Sequence, residues 1–336
     1  MRALVLHGPG AYSVESEWPT PEVRPGWARV RVTHAGICGS DLPRFSRTGA
    51  YHHPIILGHE FSGVVDTPAP ASSRFKGGER VAVLPIIPCG RCPDCEEHGP
   101  FHCQRYQFLG SRNDGGFAEY CLVPESNLLV LPPGVSGRVG ALVEPLAVAL
   151  HVLRRSGFRA GDRARVYGAG PIGILVAFWL QVFGAEDIVL ADIREESTLL
   201  ARSLGLPAVN VSSIGRDWAE SAHVVVEAAG AAPALCDAIL TARRKGKVVV
   251  VGRSPSDTTI PHDLFEKLMR KELLLVGCWG YDLRGEESFL LKVLSERGDF
   301  LEGLITHEVT LADAPSVLRR MIENDFHYCK LLITLA

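Results

Sequence analysis

From Arg163 to Asp192 the chain reads RARVYGAGPIGILVAFWLQVFGAEDIVLAD, and this stretch constrains the fold more than any other. A short β-prone run ends in a glycine-rich turn, an apolar segment of helical length follows, and a second β-prone run stops on an aspartate. Strand, turn, helix and strand in that order make a βαβ unit, whose parallel strands need both sheet faces covered. Gly168, Gly170 and Gly173 supply G-x-G-x-x-G directly after the first strand, and Pro171 and Ile172 open the helix. Gly168 permits the tight turn, Gly170 lets the backbone approach a pyrophosphate, and Gly173 allows close packing of helix on strand. The helix N-terminus favours the phosphate charge. Asp192 lies nineteen residues after Gly173, where a carboxylate binds ribose hydroxyls and repels a 2′-phosphate. That favours NAD over NADP, a preference weakened by Arg194 two residues on, a side chain able to accommodate the phosphate. The plainer alternative is a structural turn with a surface aspartate. The complete strand–turn–helix–aspartate context favours a dinucleotide site.

The alternation continues. REESTLLARSLG reads as a helix, AHVVVEAAG as a strand, APALCDAILTARRKG as a helix and KVVVVG as a strand. The first ~145 residues have a different texture. WARVRVTHAGIC, EFSGVVD, ERVAVLP and FAEYCLVP are short runs broken by Gly, Pro and Asn/Asp, as in an antiparallel barrel or sandwich. A chain of 336 residues exceeds what one core usually holds. The expectation is therefore α/β plus β. A β domain over 1–147, to which 282–336 return, is interrupted by a doubly wound parallel-sheet domain over 148–281. The closing YCKLLITL reads as a strand of the returning piece, and ELLLVGCW as an edge strand pairing between subunits or a buried central one.

The net charge of −3, without a basic block, excludes nucleic acid and acidic membrane surfaces as partners on electrostatic grounds. The longest apolar run, IGILVAFWL, is about half a membrane span. MRALVLHGPG is too short in its apolar part for a signal-peptide core, so a cytoplasmic protein is expected. In that reducing setting, clustered cysteines point to metal rather than disulfides.

Four of the nine cysteines, Cys89, Cys92, Cys95 and Cys103, fall in CGRCPDCEEHGPFHC. Four thiolates fill a tetrahedral zinc and leave no open position, so this set holds structure. An iron–sulfur run opens with the same C-x2-C-x2-C but places its fourth cysteine after three residues and before proline; here the gap is seven and Gln104 follows. Elsewhere, Cys38 in GICGSD and His59 and Glu60 in LGHE offer the thiolate, imidazole and carboxylate of a zinc site that retains an open position. Glu144, at the seam between the two textures, is a fourth candidate, placed by sequence at the mouth of an interdomain cleft. Taken singly, these residues also read as a buried thiol, a core histidine and surface carboxylates.

GICGSD, LGHEFSG, the four-cysteine segment, DGGFAEY, EPLAVALH and GAGPIG, in this order, resemble the zinc-dependent medium-chain dehydrogenases across essentially the whole chain. CGSDLPR, FLGSRNDGGFAEY and RKELLLVGCW are similar to the polyol branch, to its galactitol-1-phosphate 5-dehydrogenases in particular. The resemblance implies a GroES-like catalytic domain with a Rossmann domain, forming homodimers or homotetramers. It also implies oxidation of a secondary alcohol of a polyol or polyol phosphate by NAD, with one catalytic and one structural zinc. It assigns Cys38, His59 and Glu60 as catalytic-zinc ligands and Glu144 as a direct ligand or a holder of water. Asp41 becomes the carboxylate that orients the histidine, and Ser40 the first hydroxyl of a proton relay. Pro43 and Arg44 depart from the histidine or aromatic residue that some polyol enzymes carry after CGSD. Arg44, Arg47 and Arg112 suit bidentate phosphate binding or ordinary solvated charge equally. A cyclitol, aminocyclitol or L-threonine enzyme is the neighbouring alternative. A zinc-free reductase on the same fold and a non-catalytic zinc-binding protein are the remaining ones.

Overall fold

In the computed structural model, which describes residues 1–71, 73–215 and 218–335, contacts divide the chain into two compact units, Met1–Glu144 with Leu283–Ala336, and Pro145–Asp282. The first is built on antiparallel sheet. Its central strand is Trp27–Gly36, whose alternating apolar residues Ala28, Val30 and Val32 are fully buried. Glu60–Thr67 pairs antiparallel with it on one side, with Gly36 opposite Glu60. On the other side runs Lys330–Thr334, with Gly36 opposite Leu332. The C-terminal strand thus completes the sheet that the N-terminal residues begin. A three-stranded sheet containing Ala3–Gly8 adds Leu4, Val5 and Leu6 to the same core.

The second unit is a six-stranded, wholly parallel sheet. Numbered along this unit as β1 (Arg163–Tyr167), β2 (Asp187–Asp192), β3 (Ala208–Asn210), β4 (Ala222–Glu227), β5 (Ala242–Val250) and β6 (Leu274–Gly277), its strand order is β3-β2-β1-β4-β5-β6. That is the doubly wound Rossmann order, in which the direction of winding reverses between β1 and β4, where ligands of such sheets bind. The helix after β1, Pro171–Val182, is buried almost all round, with Trp179 donating to Leu146 O at 2.9 Å.

One expected boundary is corrected. The segment read as helical through ARRKG leaves the helix at Thr241, and β5 begins at Ala242. Lys271 explains the early stop: its buried ammonium donates to the carbonyls of Ile239, Leu240 and Ala242. It thereby satisfies acceptors that the end of a helix leaves open. Among the described residues, no helix is long and apolar enough to cross a membrane.

Candidate active site and metal centres

The central strand delivers Cys38 just past its end. The turn that follows is closed by Asp41, whose N–H donates to Cys38 O at 3.0 Å. Its Oδ2 accepts the Cys38 N–H at 3.1 Å. Asp41 is wholly buried, and its Oδ1 stands 3.3 Å from Nδ1 of His59. His59 enters from Gly58, whose φ of +92° is left-handed and where a Cβ would meet the Phe117 ring at 2.6 Å. Glycine is required there for the chain to present His59 and Glu60 next to Cys38. Ser40 donates its hydroxyl to Cys38 Sγ at 3.3 Å.

One ligand atom from each of Cys38, His59 and Glu60 lies within 4.8 Å of the others. Sulfur, imidazole nitrogen and carboxylate oxygen at that spacing suit zinc, and three protein donors leave a position open for a substrate oxygen. Burial works against charge on the His59 ring, but Asp41 and then Cys38 outweigh it and hold the histidine well above its ordinary value. Glu144 is also buried, in the first turn of helix Val143–Ser156, but outside this three-residue group. Burial lifts its carboxyl to about 7, with His59 opposing and Glu60 adding to the shift.

Lys330 was not singled out from the sequence. Its Nζ lies 2.6 Å from Glu60 Oε2, with both side chains almost fully buried. The pair spans the central strand, and the gap comes from Gly36, where a Cβ would collide with Glu60 Oε2. A signal was present: a lysine inside the apolar run CKLLITL needs a buried anion. Phe108 was missed as well; its ring stands 5.6 Å from that of His59 and shields it.

The four cysteines form a second group within 4.8 Å. Their lobe is closed at its base by Ile86–Ile87 paired with Gln107–Phe108. Sulfur separations of 3.8 Å (Cys89–Cys95) and 3.3 Å (Cys92–Cys95) are too long for a disulfide bond, which is about 2.05 Å. The N–H groups of Cys89 and Arg105 point at Cys103 Sγ, as suits a thiolate. The Arg91 N–H brings the Cys89 thiol down to about 6, whereas burial pushes Cys95 up to about 12. Four sulfurs in one lobe fit a closed zinc.

In the second unit, Gly168 has φ +102°, and a Cβ there would meet Ala229 N at 2.7 Å. A Cβ on Gly173 would overlap Gly168 O, whereas one on Gly170 would meet nothing within 4 Å. The space over Gly170, at the N-cap of the helix that Pro171 and Ile172 begin, is therefore not required by the protein's own packing. Asp192 accepts from Ala169 N at 2.7 Å and from Arg194 N at 2.8 Å, which ties the end of β2 to the glycine turn. Arg194 itself is exposed.

Family models match residues 24–133 as an alcohol dehydrogenase GroES-like domain and residues 171–296 as a zinc-binding dehydrogenase. Galactitol 1-phosphate 5-dehydrogenase of Escherichia coli K12 is 32% identical over 337 residues, covering 96% of this chain and 97% of the relative. The chain belongs to the zinc-binding dehydrogenases. Its fold is that of the family, a GroES-like unit with a Rossmann unit. The crystal structure of Escherichia coli galactitol-1-phosphate dehydrogenase superposes with a TM-score of 0.92 at 32% identity, over 99% of this chain and 100% of that one. Two further dehydrogenase structures carry a nicotinamide cofactor. A zinc-binding dehydrogenase of Sinorhizobium meliloti 1021 is bound to NADP (TM-score 0.90, 28% identity, 99% of this chain and 98% of that one). An alcohol dehydrogenase from Escherichia coli CFT073 is complexed with NADH (TM-score 0.89, 29% identity, 99% of each chain).

Proposed function

We propose that this dehydrogenase oxidises a secondary alcohol of a polyol or polyol phosphate to the ketone, with NAD as acceptor and zinc at Cys38, His59 and Glu60. The observation that carries the reading is the convergence of those three side chains within 4.8 Å, with Asp41 behind the histidine. The name of the galactitol 1-phosphate relative supports the substrate class. A bound zinc supplies Lewis-acid polarisation of the alcohol oxygen, and NAD accepts the hydride.

The chain's own residues do the rest. Asp41 fixes the His59 ring and raises its basicity as a ligand. Lys330 compensates Glu60, so that a buried carboxylate can stand beside a thiolate. Ser40 holds a hydroxyl proton against Cys38 and begins the path by which the alcohol proton leaves. Glu144, buried beside the group, serves as a further ligand or holds the water that completes the shell. Gly168, Gly170 and Gly173 shape the pyrophosphate turn, and the negative charge of Asp192 favours NAD over NADP despite Arg194. Cys89, Cys92, Cys95 and Cys103 hold a structural zinc. The enzyme works in the cytoplasm as a homodimer or homotetramer.

Cys38→Ala abolishes turnover and removes about one of two zinc equivalents, while NAD titration remains unchanged. Wild-type kcat in a metal-replete Cys38→Ala preparation would refute the assignment. A screen of NAD reduction across polyols, their phosphates, cyclitols and L-threonine identifies the substrate class.

A further inference from the structure

Two elements carry side chains that stand against His59, and each also carries an arginine. The helical segment beginning at Asp41 presents Arg44 one turn later. The tight turn after Phe108 presents Arg112, whose N–H donates to Phe108 O at 2.9 Å. Both guanidiniums converge on a single ring. Arg112 lies 4.0 Å and Arg44 5.6 Å from the centroid of Tyr51, while Tyr106 lies against Arg112 at 4.4 Å.

Two like charges on one ring repel each other, and an offsetting anion is expected. Among the described residues, neither arginine has a carboxylate within ion-pair distance. Arg112 Nε is moreover buried without a hydrogen-bond partner. Arg47 does not join them; it is exposed and lines a separate groove with Leu42, Ser46, Met321 and Ile322.

We propose that Arg44 and Arg112 form an anion subsite for the terminal phosphate or carboxylate of the alcohol substrate, with Tyr51 as the surface on which both guanidiniums rest. The inference rests on the polyol reading above and deepens it: the alcohol oxidised at the Cys38–His59–Glu60 centre belongs to an acyclic sugar derivative with an acidic end. Two planar forks match either oxyanion, and Tyr51 and Tyr106 restrict the arginines before the ligand arrives.

The test compares a hexitol 1-phosphate, the matching hexonate and the neutral hexitol. The wild type is expected to favour one of the anionic substrates over the hexitol by at least about 10-fold in kcat/KM. The substrate with the larger preference identifies the oxyanion. In Arg44→Gln/Arg112→Gln this preference shrinks by about 10- to 100-fold, mainly through KM, as for lost charge-assisted hydrogen bonds. Arg112→Lys, which keeps charge but loses the fork, falls between. Equal kcat/KM for all three in the wild type, or an unchanged preference in the double variant, overturns the subsite. Should the double variant not fold, Arg44→Gln alone carries the same comparison. Inorganic phosphate separates this proposal from the functional one. Stabilisation of the wild type by phosphate, lost in the variants, supports the subsite even if no alcohol is oxidised. A polyol-oxidising wild type indifferent to phosphate and carboxylate overturns the subsite alone.

Discussion

Lys330 and Glu60 lie 270 positions apart in sequence, yet they form the tightest buried ion pair of the candidate site. Burial alone would lower the lysine, but Glu60, followed by Cys38, outweighs it and holds Lys330 well above the ordinary lysine range. Its folded value exceeds its unfolded one, so the stabilisation is complete at pH 7 and is lost only as pH rises past the usual lysine titration. Replacing one partner of such a pair strands the other charge, at a cost of about 3–5 kcal/mol, whereas replacing both with apolar groups is close to neutral. In chelated protein, Lys330→Met therefore loses about 3 kcal/mol or more in urea unfolding, and Glu60→Leu/Lys330→Met recovers most of it. A Lys330→Met midpoint matching the wild type would show that the pair contributes nothing. Gly36→Ala tests the same geometry from the strand between them, since its methyl group displaces Glu60 Oε2.

At the scale of elements, the glycine turn separates what packing needs from what a ligand needs. Gly173→Ala forces a methyl onto Gly168 O and is expected to destabilise the Rossmann unit. Gly170→Ala meets no protein atom, and its φ of −79° suits alanine. Thermal unfolding of Gly170→Ala then stays within about 0.5 kcal/mol of wild type, while NAD affinity falls by about 10-fold or more because the methyl occupies the pyrophosphate's approach. Unchanged NAD affinity in Gly170→Ala would remove the pyrophosphate from this turn. Such features were legible in the sequence because their determinants are local: a strand, three glycines and an aspartate within thirty residues, or four cysteines within fifteen. The helix end at Thr241 was not, because its cap is a lysine about thirty residues downstream. The Glu60 partner escaped for the same reason. Long-range polar satisfaction is set by sheet register, and the strands Glu60–Thr67 and Lys330–Thr334 become neighbours of one glycine only once the sheet is assembled. Arg44 and Arg112 were visible as residues, but only the fold brings them to one ring and leaves Arg47 aside.

At the scale of the molecule, apolar exposure is concentrated in one place. Of nine exposed large hydrophobic residues among those described, five fall between Phe265 and Trp279: Phe265, Met269, Leu274, Leu275 and Trp279. They surround β6, which among the described residues pairs with β5 on one side only and so leaves a row of backbone donors and acceptors open on the other. A sheet edge this apolar, with Leu274 54% and Leu275 46% exposed, lacks the charges and prolines that usually keep edges from pairing. A second copy of the same strand satisfies both needs, because an antiparallel twofold pairing of two such edges is self-complementary and buries the leucines of each. If the proposed homo-oligomer, dimer or tetramer, pairs its subunits through β6, a lysine at the centre of the strand opposes that pairing, since each copy would bring one charge into it. Leu275→Lys is expected to weaken dimerisation by at least about 100-fold, read by sedimentation velocity over a concentration series. NAD binding should survive, because the glycine turn lies at the end of β1, three strands away from β6 in the sheet. A wild type that sediments as a monomer, or a Leu275→Lys variant that dimerises like the wild type, would place the subunit contact elsewhere or remove it.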